Sequence, residues 1–207
     1  QGKPVSEQEI GRHLLSEVVS YAESSVCRRK HLLHYFGEEL EIDNCDNCDN
    51  CLHPKVSFEG QEYVELLLDA ICAVKEKFKD KHIIHVLTGN TNSSIKSYKH
   101  DDLDVFGQGA ERDEKFWMAV VRQSLIAGFI QKDIENFGLL RLSEKGRSFL
   151  ENPYSVMLTE DHDYEEGEEE AELAIDSAKG GSADPLLFSL LKDLRKKISK
   201  EKNLPPF

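Results

Sequence analysis

The feature that most constrains this chain is a cluster of cysteines within its first 51 residues. Cys45, Cys48 and Cys51 are separated by two residues each, and 17 residues lie between Cys27 and Cys45. Four thiolates complete the tetrahedral coordination of zinc and leave no position open for water. The surrounding sequence, EIDNCDNCDNCLHP, is rich in turn-forming Asp and Asn and poor in apolar residues. We therefore predict one structural Zn²⁺ held by the four cysteines, which orders a segment with little core of its own.

The cysteine spacing is also compatible with two alternatives to zinc. An iron–sulfur cluster uses C-x-x-C-x-x-C as well, although the fourth cysteine followed by proline that is usual in ferredoxins is absent. Four unrelated buried cysteines are the second alternative, which the regular spacing disfavours. His53 could bind a metal only by replacing one of the cysteines. Cys72 lies in a predicted helix next to Ile71 and is predicted to be an ordinary core residue.

The charge of the chain is concentrated in one segment. The net charge is −13, but residues 158–184 contain eleven acidic residues and one basic residue, and so hold ten of these negative charges. The remainder is nearly neutral and is compatible with a basic face for nucleic acid. No run of about 18 apolar residues predicts a membrane helix, and the first residues lack the pattern of a secretory signal. We expect a cytoplasmic protein with reduced cysteines and no membrane partner.

The hydrophobic pattern predicts a mainly α-helical fold with one small β-hairpin. Apolar residues at helical spacing predict helices over residues 6–26, 28–36, 59–79, 93–100, 114–127 and 143–150. Two short strands are predicted over residues 129–134 and 138–142, with a tight turn at 135–137. Helices followed by a hairpin are the order of a winged helix, which is a helix-turn-helix with an appended ribbon.

Four regions follow from these patterns. Residues 1–57 are predicted to form a zinc-stapled helical subdomain, and residues 58–157 a winged-helix DNA-binding domain. Residues 158–184 are predicted to be an acidic disordered linker. Residues 185–207 carry an amphipathic helix, which we interpret as the truncated first helix of a further domain. No G-x-x-x-x-G-K-[ST] phosphate loop occurs, so the chain is not expected to hydrolyse nucleotide, and no catalytic residue is assigned.

Several stretches resemble the RecQ family of DNA helicases. CRRKHLLHYFGEE followed by C-x-x-C-x-x-C is similar to the zinc-binding subdomain of that family. IIHVLTGNTNSSIKSYKHDDLDVFGQG, FWMAVVRQSLIAGFI and LRLSEKGR resemble the winged helix that follows it, the two together being called the RQC region. DPLLFSLLKDLRKKISKEKNLPPF resembles the opening of the small helical HRDC domain. The resemblance covers nearly the whole chain outside the acidic segment.

The resemblance implies a C-terminal fragment of an ATP-dependent 3′-to-5′ DNA helicase that acts in DNA repair and recombination, associated with the bacterial nucleoid. ATP and Mg²⁺ would act only in motor domains that this chain lacks but that share its polypeptide. The implied partner is duplex or forked DNA, and the sequence indicates no particular protein partner. A zinc-containing winged-helix transcription regulator, or a protein-interaction module that docks through the acidic tract, stays open as an alternative.

In related RQC domains, the stretch that corresponds to residues 88–96 touches the backbone of the duplex. The residue types of this chain fit that role, because phosphate contacts need N–H groups, hydroxyls and flexible cations. The start of the helix that Asn92 caps would add N–H groups and a partial positive charge. The predicted contacts are Thr88, Asn90, Asn92, Ser93, Ser94, Lys96 and Lys99. An ordinary polar turn with a solvated helix face is the alternative.

Further residues permit two interpretations. Phe137 stands at the predicted hairpin turn, where its ring either packs under the hairpin or stacks on a terminal base pair, as in some relatives. The run Arg28-Arg29-Lys30 is either a DNA-facing patch or a solvated helix face. Trp117, on the inner face of its helix, is predicted to lie in the core.

Overall fold

The computed structural model of the chain describes residues 5–42, 44–133, 136, 138–162 and 185–202. The elements in chain order are α1 (Val5–Glu23), α2 (Arg28–Tyr35), α3 (Asp49–Leu52), β1 (Ser57–Glu59), α4 (Gln61–Ala73), α5 (Asp80–Thr88), α6 (Ser93–Tyr98), a 3₁₀ turn (His100–Asp102), α7 (Glu114–Ile126), β2 (Ile130–Asp133), β3 (Leu139–Leu142), α8 (Glu144–Glu151), β4 (Met157–Thr159) and α9 (Pro185–Lys202). The predicted mainly helical fold with a small hairpin is confirmed, and a second two-stranded sheet accompanies the hairpin.

The core of the winged helix lies between α4, α5 and α7, and β2, β3 and α8 close it. Its fully enclosed large side chains are Trp117, Phe149, Leu67, Leu68, Ile71, Ile83, Ile84, Leu87, Ile95, Ile130, Leu140 and Val64. The core position predicted for Trp117 is confirmed, and its indole Nε1 donates to the carbonyl oxygen of Gly109 at 2.9 Å. A Cβ atom at Gly109 would lie 2.4 Å from the indole ring, so this close approach requires glycine.

α4 is shorter than predicted, because the chain turns sharply after Ala73. Lys75 and Glu76 both adopt left-handed backbone conformations, with φ of 62° and 56°, which are unfavourable for residues with a Cβ. The Glu76 carboxylate accepts the backbone N–H of Leu142 at 3.2 Å and an N–H of Arg147 at 2.6 Å. These contacts from distant parts of the chain stabilise the turn, and the predicted helix over residues 59–79 is interrupted as a result.

The segment that follows forms α5 and α6, and the end of α5 and the start of α6 match the residues found there. α5 ends before Gly89, which has a left-handed φ of 72°, as expected of a glycine that terminates a helix. The predicted cap of α6 is confirmed, since Oδ1 of Asn92 accepts the backbone N–H of Ile95 at 2.9 Å. α6 is shorter than its predicted span of 93–100 and is followed by Lys99 in a left-handed conformation.

The predicted hairpin is present as β2 and β3, an antiparallel pair in which Ile130 lies opposite Leu142 and Asp133 opposite Leu139. Ser143 then caps α8, because its Oγ accepts the backbone N–H of Gly146 at 3.0 Å. The turn between the strands, including Phe137, lies outside the described residues except for single positions. The role of Phe137 therefore stays a prediction.

The second sheet pairs β1 with β4, which joins the start of the winged helix to the segment after α8. Phe58 lies opposite Leu158, which is only 3% exposed. A Cβ atom at Gly60 would lie 2.4 Å from the Leu158 side chain, so the leucine packs directly on that backbone. Residues 158–162, which the sequence assigns to the linker, therefore belong to the first compact unit of the chain. The rest of the predicted linker, residues 163–184, lies outside the described residues.

Two parts of the chain, the apolar stripe of α1 and Cys72, differ from the expectation that apolar residues are enclosed. The apolar stripe of α1, at Ile10, Leu14, Leu15, Val18 and Val19, is 42% to 63% exposed. The core position predicted for Cys72 is wrong, because this residue lies on the exposed side of α4 although Ile71 beside it is buried. Adjacent helical residues point about 100° apart, which explains how one is enclosed while the other faces outward.

The second compact unit contains α9. Leu190, Leu191, Leu194 and Ile198 are the exposed large apolar residues of this helix. Their spacing forms one apolar side, as the sequence predicts. Among the described residues, none of the helices combines the length and the apolar character needed to cross a membrane.

Candidate metal centre and nucleic-acid interface

The structure brings the four predicted cysteines together. The Sγ atoms of Cys27, Cys45, Cys48 and Cys51 all lie within 4.8 Å of one another. Zn–S bonds of about 2.3 Å place the sulfurs of a tetrahedral site about 3.8 Å apart, so the cluster fits a single zinc ion. Within the described part of the chain, these four form the one group of three or more potential ligands. His53 is exposed and does not belong to it.

The electrostatics of the sulfurs favour a cation at their centre. The pKa of Cys45 is lowered to about 6, chiefly because the backbone N–H of Cys48 donates to it. Burial raises the pKa of Cys51 to about 12, even though the backbone N–H of Cys45 donates to its Sγ at 3.3 Å. Without a cation, these four thiols cannot all ionise, since each thiolate opposes the next. A divalent ion removes that conflict by stabilising all four thiolates.

Asn50 ties the cysteine loop to the junction between α1 and α2. This buried side chain donates through Nδ2 to the carbonyl oxygens of Ser24 and Val26, at 2.7 Å each. Both carbonyls lie just before Cys27 in the chain. The amide therefore holds the first ligand beside the loop that supplies the other three.

Arg28 forms a second link to the same loop. Its Nε and Nη2 atoms donate to the carboxylate of Asp49, at 3.1 Å and 3.0 Å, and Nη1 donates to the carbonyl oxygens of Tyr21 and Ala22. The hydrogen bonds from Arg28 hold the pKa of Asp49 below its usual range. The sequence left the run Arg28-Arg29-Lys30 as either a DNA-facing patch or a solvated helix face. Arg28 fits neither interpretation, because its guanidinium bonds within the fold. Arg29 is exposed.

Five of the predicted DNA contacts lie on or beside α6, and we call them the α6 surface. They are Asn90, Ser93, Ser94, Lys96 and Lys99, all exposed except the half-buried Ser94. Ser93 and Lys96 are three residues apart and so share one side of the helix. The side-chain amide of Asn90 donates to Oε1 of Glu114 at 2.9 Å, which fixes the loop before α6 against the start of α7.

The other two predicted contacts of this segment, Thr88 and Asn92, use their donors inside the fold. Oγ1 of Thr88 donates to the carbonyl oxygen of Ile84 at 2.8 Å. Nδ2 of Asn92 lies 2.9 Å from Nδ1 of His85, in addition to the cap that its Oδ1 provides. Because phosphate oxygens only accept hydrogen bonds, these two side chains are better suited to holding the loop than to a direct contact.

A pair of histidines that the sequence did not reveal packs against α6, since Oγ of Ser94 lies 3.4 Å from Nδ1 of His82 and the ring of Tyr98 stacks on His100. Nε2 of His82 lies 2.8 Å from Nδ1 of His100, and the ring of Phe78 stacks on His82 with centroids 4.0 Å apart. Burial lowers the pKa of His82 to about 4 and also lowers the pKa of His100. Both rings are therefore neutral near pH 7, and the platform under the α6 surface carries no charge of its own.

Comparison with known proteins places this geometry in a family. A family model described as RecQ zinc-binding matches residues 1–52, and a model of the RQC domain matches residues 54–166. The chain is 32% identical to the ATP-dependent DNA helicase RecQ of Haemophilus influenzae over 220 residues, which cover 99% of this chain and 33% of that protein. The chain belongs to the RecQ family.

Two further RecQ relatives agree. The ATP-dependent DNA helicase RecQ of Pasteurella multocida is 32% identical over 99% of the chain and 32% of its own length. The protein of that name from Bacillus subtilis is 27% identical over 93% of the chain and 30% of its own length. The chain therefore spans about a third of the length of the curated relatives it matches. Its four cysteines fall within the RecQ zinc-binding region, and the winged helix falls within the RQC domain.

The two RecQ regions meet at an ionic cluster around the buried Arg122, which the sequence did not reveal. Arg122 of α7 is 6% exposed and donates through Nε to Oγ of Ser20 at 2.7 Å and through Nη2 to Glu23 at 3.1 Å. Its Nη1 donates to Oδ2 of Asp161 in the segment after β4. Burial lowers the pKa of Arg122, but a guanidinium stays charged throughout the physiological range. Arg122 lies off the helical face of Trp117, Val120 and Val121, so the periodicity of α7 gives no signal of its burial.

Proposed function

We propose that this part of a RecQ helicase grips the phosphate backbone of duplex or forked DNA through the α6 surface. The observation that carries the proposal is the exposure of Ser93 and Lys96 on a short helix, and of Lys99 just after it. Asn92 caps this helix, and the histidine pair contacts it through Ser94 and Tyr98. Hydroxyls and lysines bind phosphates without reading bases, and this helix has no arginine or glutamine that would form bidentate contacts to a base.

We further propose that the cysteine cluster holds one Zn²⁺ with a structural role. Four thiolates would fill the coordination sphere, so no water remains to be activated, and the ion would serve only to close the loop over Cys27. Burial of Cys27 and the polar links of Asn50 and Arg28 support this role, because they orient the loop toward one point.

The names of its relatives support a proposal for the activity of the whole protein. We propose that the polypeptide as a whole is an ATP-dependent DNA helicase, and that ATP and Mg²⁺ act in motor domains outside this chain. The present region would hold the duplex while the motor translocates. Helix α9 is proposed to open an HRDC domain, on the similarity of its sequence alone.

The test is fluorescence anisotropy of the chain with labelled blunt duplex, forked duplex and single strand over a series of salt concentrations. Because phosphates dominate, we expect binding that is insensitive to base sequence and weakens steeply with salt. Lys96→Ala should weaken all duplexes alike and reduce the salt slope by about 1. The matched control is Lys77→Ala, which removes the same charge from an exposed position in the turn after α4 and should leave the slope unchanged.

A different result would point to another class of protein. If one base pair of a particular sequence contributes more than about 1–3 kcal/mol while Lys96→Ala has no effect, the chain reads bases as a transcription regulator does. If both lysine variants reduce binding equally, the effect is one of net charge, and the α6 surface is not the site of contact.

A further inference from the structure

Residues 157–162 form a strap that is bonded to the winged helix on one side. β4 pairs with β1, and the side chain of Gln123 in α7 bonds to the backbone of Thr159 in both directions. Nε2 of Gln123 donates to the carbonyl oxygen of Thr159 at 2.7 Å, and Oε1 accepts its N–H at 2.9 Å. The Arg122 guanidinium bonds to Asp161 two residues later. Thr159 and Asp161 of the strap are therefore attached to α7.

On its other side, the strap is bonded to the residues that frame the cysteine cluster. The hydroxyls of Thr159 and Ser25 lie 2.7 Å apart. The backbone N–H of His162 donates to the carbonyl oxygen of Glu23 at 2.7 Å, and Nε2 of its ring lies 2.7 Å from Oδ1 of Asn50. Ser25 stands two residues before Cys27, and Asn50 stands immediately before another ligand. The strap thus reaches both halves of the metal centre.

The hydrogen-bond roles of His162 and Asn50 follow from the partners of Asn50. Its Nδ2 donates to two carbonyl oxygens, which identifies the other amide atom as the oxygen and hence as an acceptor. Nε2 of His162 must therefore carry the hydrogen and donate to Asn50. With all of these bonds made, the side chain of Asn50 cannot rotate without breaking one, and the backbone on each side of the cluster is fixed.

We propose that the strap positions the zinc loop, so that the winged helix and the metal centre stabilise each other through residues 159–162. Asp161 and His162 are positioning residues. They contact no ligand sulfur themselves, but His162 bonds to Asn50 and Asp161 bonds to Arg122. The proposal rests on the zinc site proposed above. It goes beyond that site because it predicts that substitutions in the RQC domain change metal retention.

The first experiment measures zinc release from the full chain into a chromophoric chelator. His162→Ala removes the donor to Asn50, and we expect release about tenfold faster, as is common when a residue that orients a metal ligand is lost. His162→Gln retains an N–H donor at similar reach and should recover most of the retention. Gln123→Leu, which leaves the strap backbone without its partner in α7, should also accelerate release although it lies in the winged helix.

The matched control is Glu76→Gln, which weakens contacts of the winged helix with Leu142 and Arg147 but touches no part of the strap. It should leave the release rate unchanged. If Glu76→Gln accelerates release as much as Gln123→Leu does, general destabilisation explains both, and the proposal is overturned. Unchanged release in His162→Ala overturns it as well. A chain that contains no zinc at all contradicts the proposed metal site, which is a separate failure.

A second experiment needs no substitution. If the strap stabilises the metal centre, the metal must stabilise the strap to the same extent. Removal of zinc should therefore speed hydrogen exchange of the amides of Thr159 and His162. The amide of Leu140, which donates to the carbonyl oxygen of Phe78 inside the winged helix, should exchange at the same rate as before. Equal rates at Thr159 and His162 with and without zinc would contradict the coupling.

Discussion

The zinc-binding region and the winged helix contrast in what they enclose. Within residues 5–52, the buried residues among those described are Ser24, Cys27, His31 and Asn50, of which only the cysteine is apolar. The winged helix encloses a continuous set of leucine, isoleucine, valine and aromatic side chains. Burial of apolar surface is the main source of folding free energy. The zinc-binding region buries almost no apolar surface within itself, so its folding must depend on the metal-binding cysteines and on its polar contacts.

The largest effect expected from this contrast is that of losing one ligand. Cys48→Ser should remove the zinc and leave residues 5–52 sensitive to protease, because structural zinc contributes on the order of 10–16 kcal/mol of apparent binding free energy in small domains. The winged helix should keep a cooperative thermal transition, since its core contains none of the ligands. Metal analysis and limited proteolysis measure the outcome.

The control for that experiment is Cys72→Ser, at an exposed cysteine outside the cluster. This variant should retain close to one zinc per chain and an unchanged protease pattern. An absorbance band in the visible range, with iron and sulfide in the purified chain, would replace the zinc assignment by an iron–sulfur cluster.

The second substitution changes the core of the winged helix and leaves the zinc ligands intact. Trp117→Ala should lower the free energy of unfolding of this domain by about 3–5 kcal/mol, because it opens a cavity and leaves the carbonyl oxygen of Gly109 without its donor. Urea titration followed by circular dichroism measures the change. At urea concentrations below the transition the chain should still hold zinc, and loss of zinc there would show that the two regions are less separable than their interiors suggest.

Two deletions locate the border of the first compact unit. Removal of residues 163–207 should leave the melting temperature unchanged and DNA affinity equal or higher, because residues 163–184 of this segment contain nine acidic residues and one basic residue, and the segment as a whole is net negative. Removal of residues 158–207 also takes away the buried Leu158 and the partner of β1, and should cost about 2–5 kcal/mol. Equal melting of the two deletions would mean that residues 158–162 contribute nothing to the fold.

The smallest expected effect is a dependence on pH that originates under the α6 surface. Burial lowers the pKa of His82 to about 4 in the folded state, against about 6.5 in an unfolded chain. Above pH 6.5 the ring is neutral in both states and contributes no dependence. Between pH 6.5 and 4 only the unfolded chain takes up the proton, so stability falls as pH falls.

Because His82 is only partly enclosed, we expect this loss to amount to about 1–2 kcal/mol between pH 7 and pH 4.5. Urea unfolding followed by the fluorescence of the single tryptophan reports on the winged helix specifically. His82→Gln should flatten the dependence, whereas His53→Gln, at an exposed position, should not. An unchanged slope in the His82 variant would assign the dependence to other groups.

The features that the sequence predicted correctly are those with local signals. The spacing of the cysteines, the cap of Asn92 and the alternation in β2 and β3 each depend on residues within a few positions of one another. The helical stripe of α4 was equally clear. The exposure of the α1 stripe was not, because periodicity reports which residues share a face and says nothing of what covers it.

The features that it did not predict depend on distant partners. The end of α4 is fixed by bonds from Glu76 to Leu142 and Arg147, which lie more than 60 positions away. β1 and β4 are three residues each, too short for a recognisable alternation. The cluster around Arg122 joins three segments of the chain. In each case the structure is stabilised by contacts between residues far apart in the sequence, which a short stretch of sequence cannot reveal.

The pairing of β1 with β4 also bears on how the chain folds with time. Ser57 and Thr159 are roughly 100 residues apart in sequence, and contacts of such separation form slowly because a long loop must close first. During synthesis, β1 stays unpaired until β4 has been made, while the helices between them assemble from local contacts. Until then, Gly60 lacks its leucine and β1 presents an unpaired edge. β1 is thus exposed to mispairing from its own synthesis until β4 is complete.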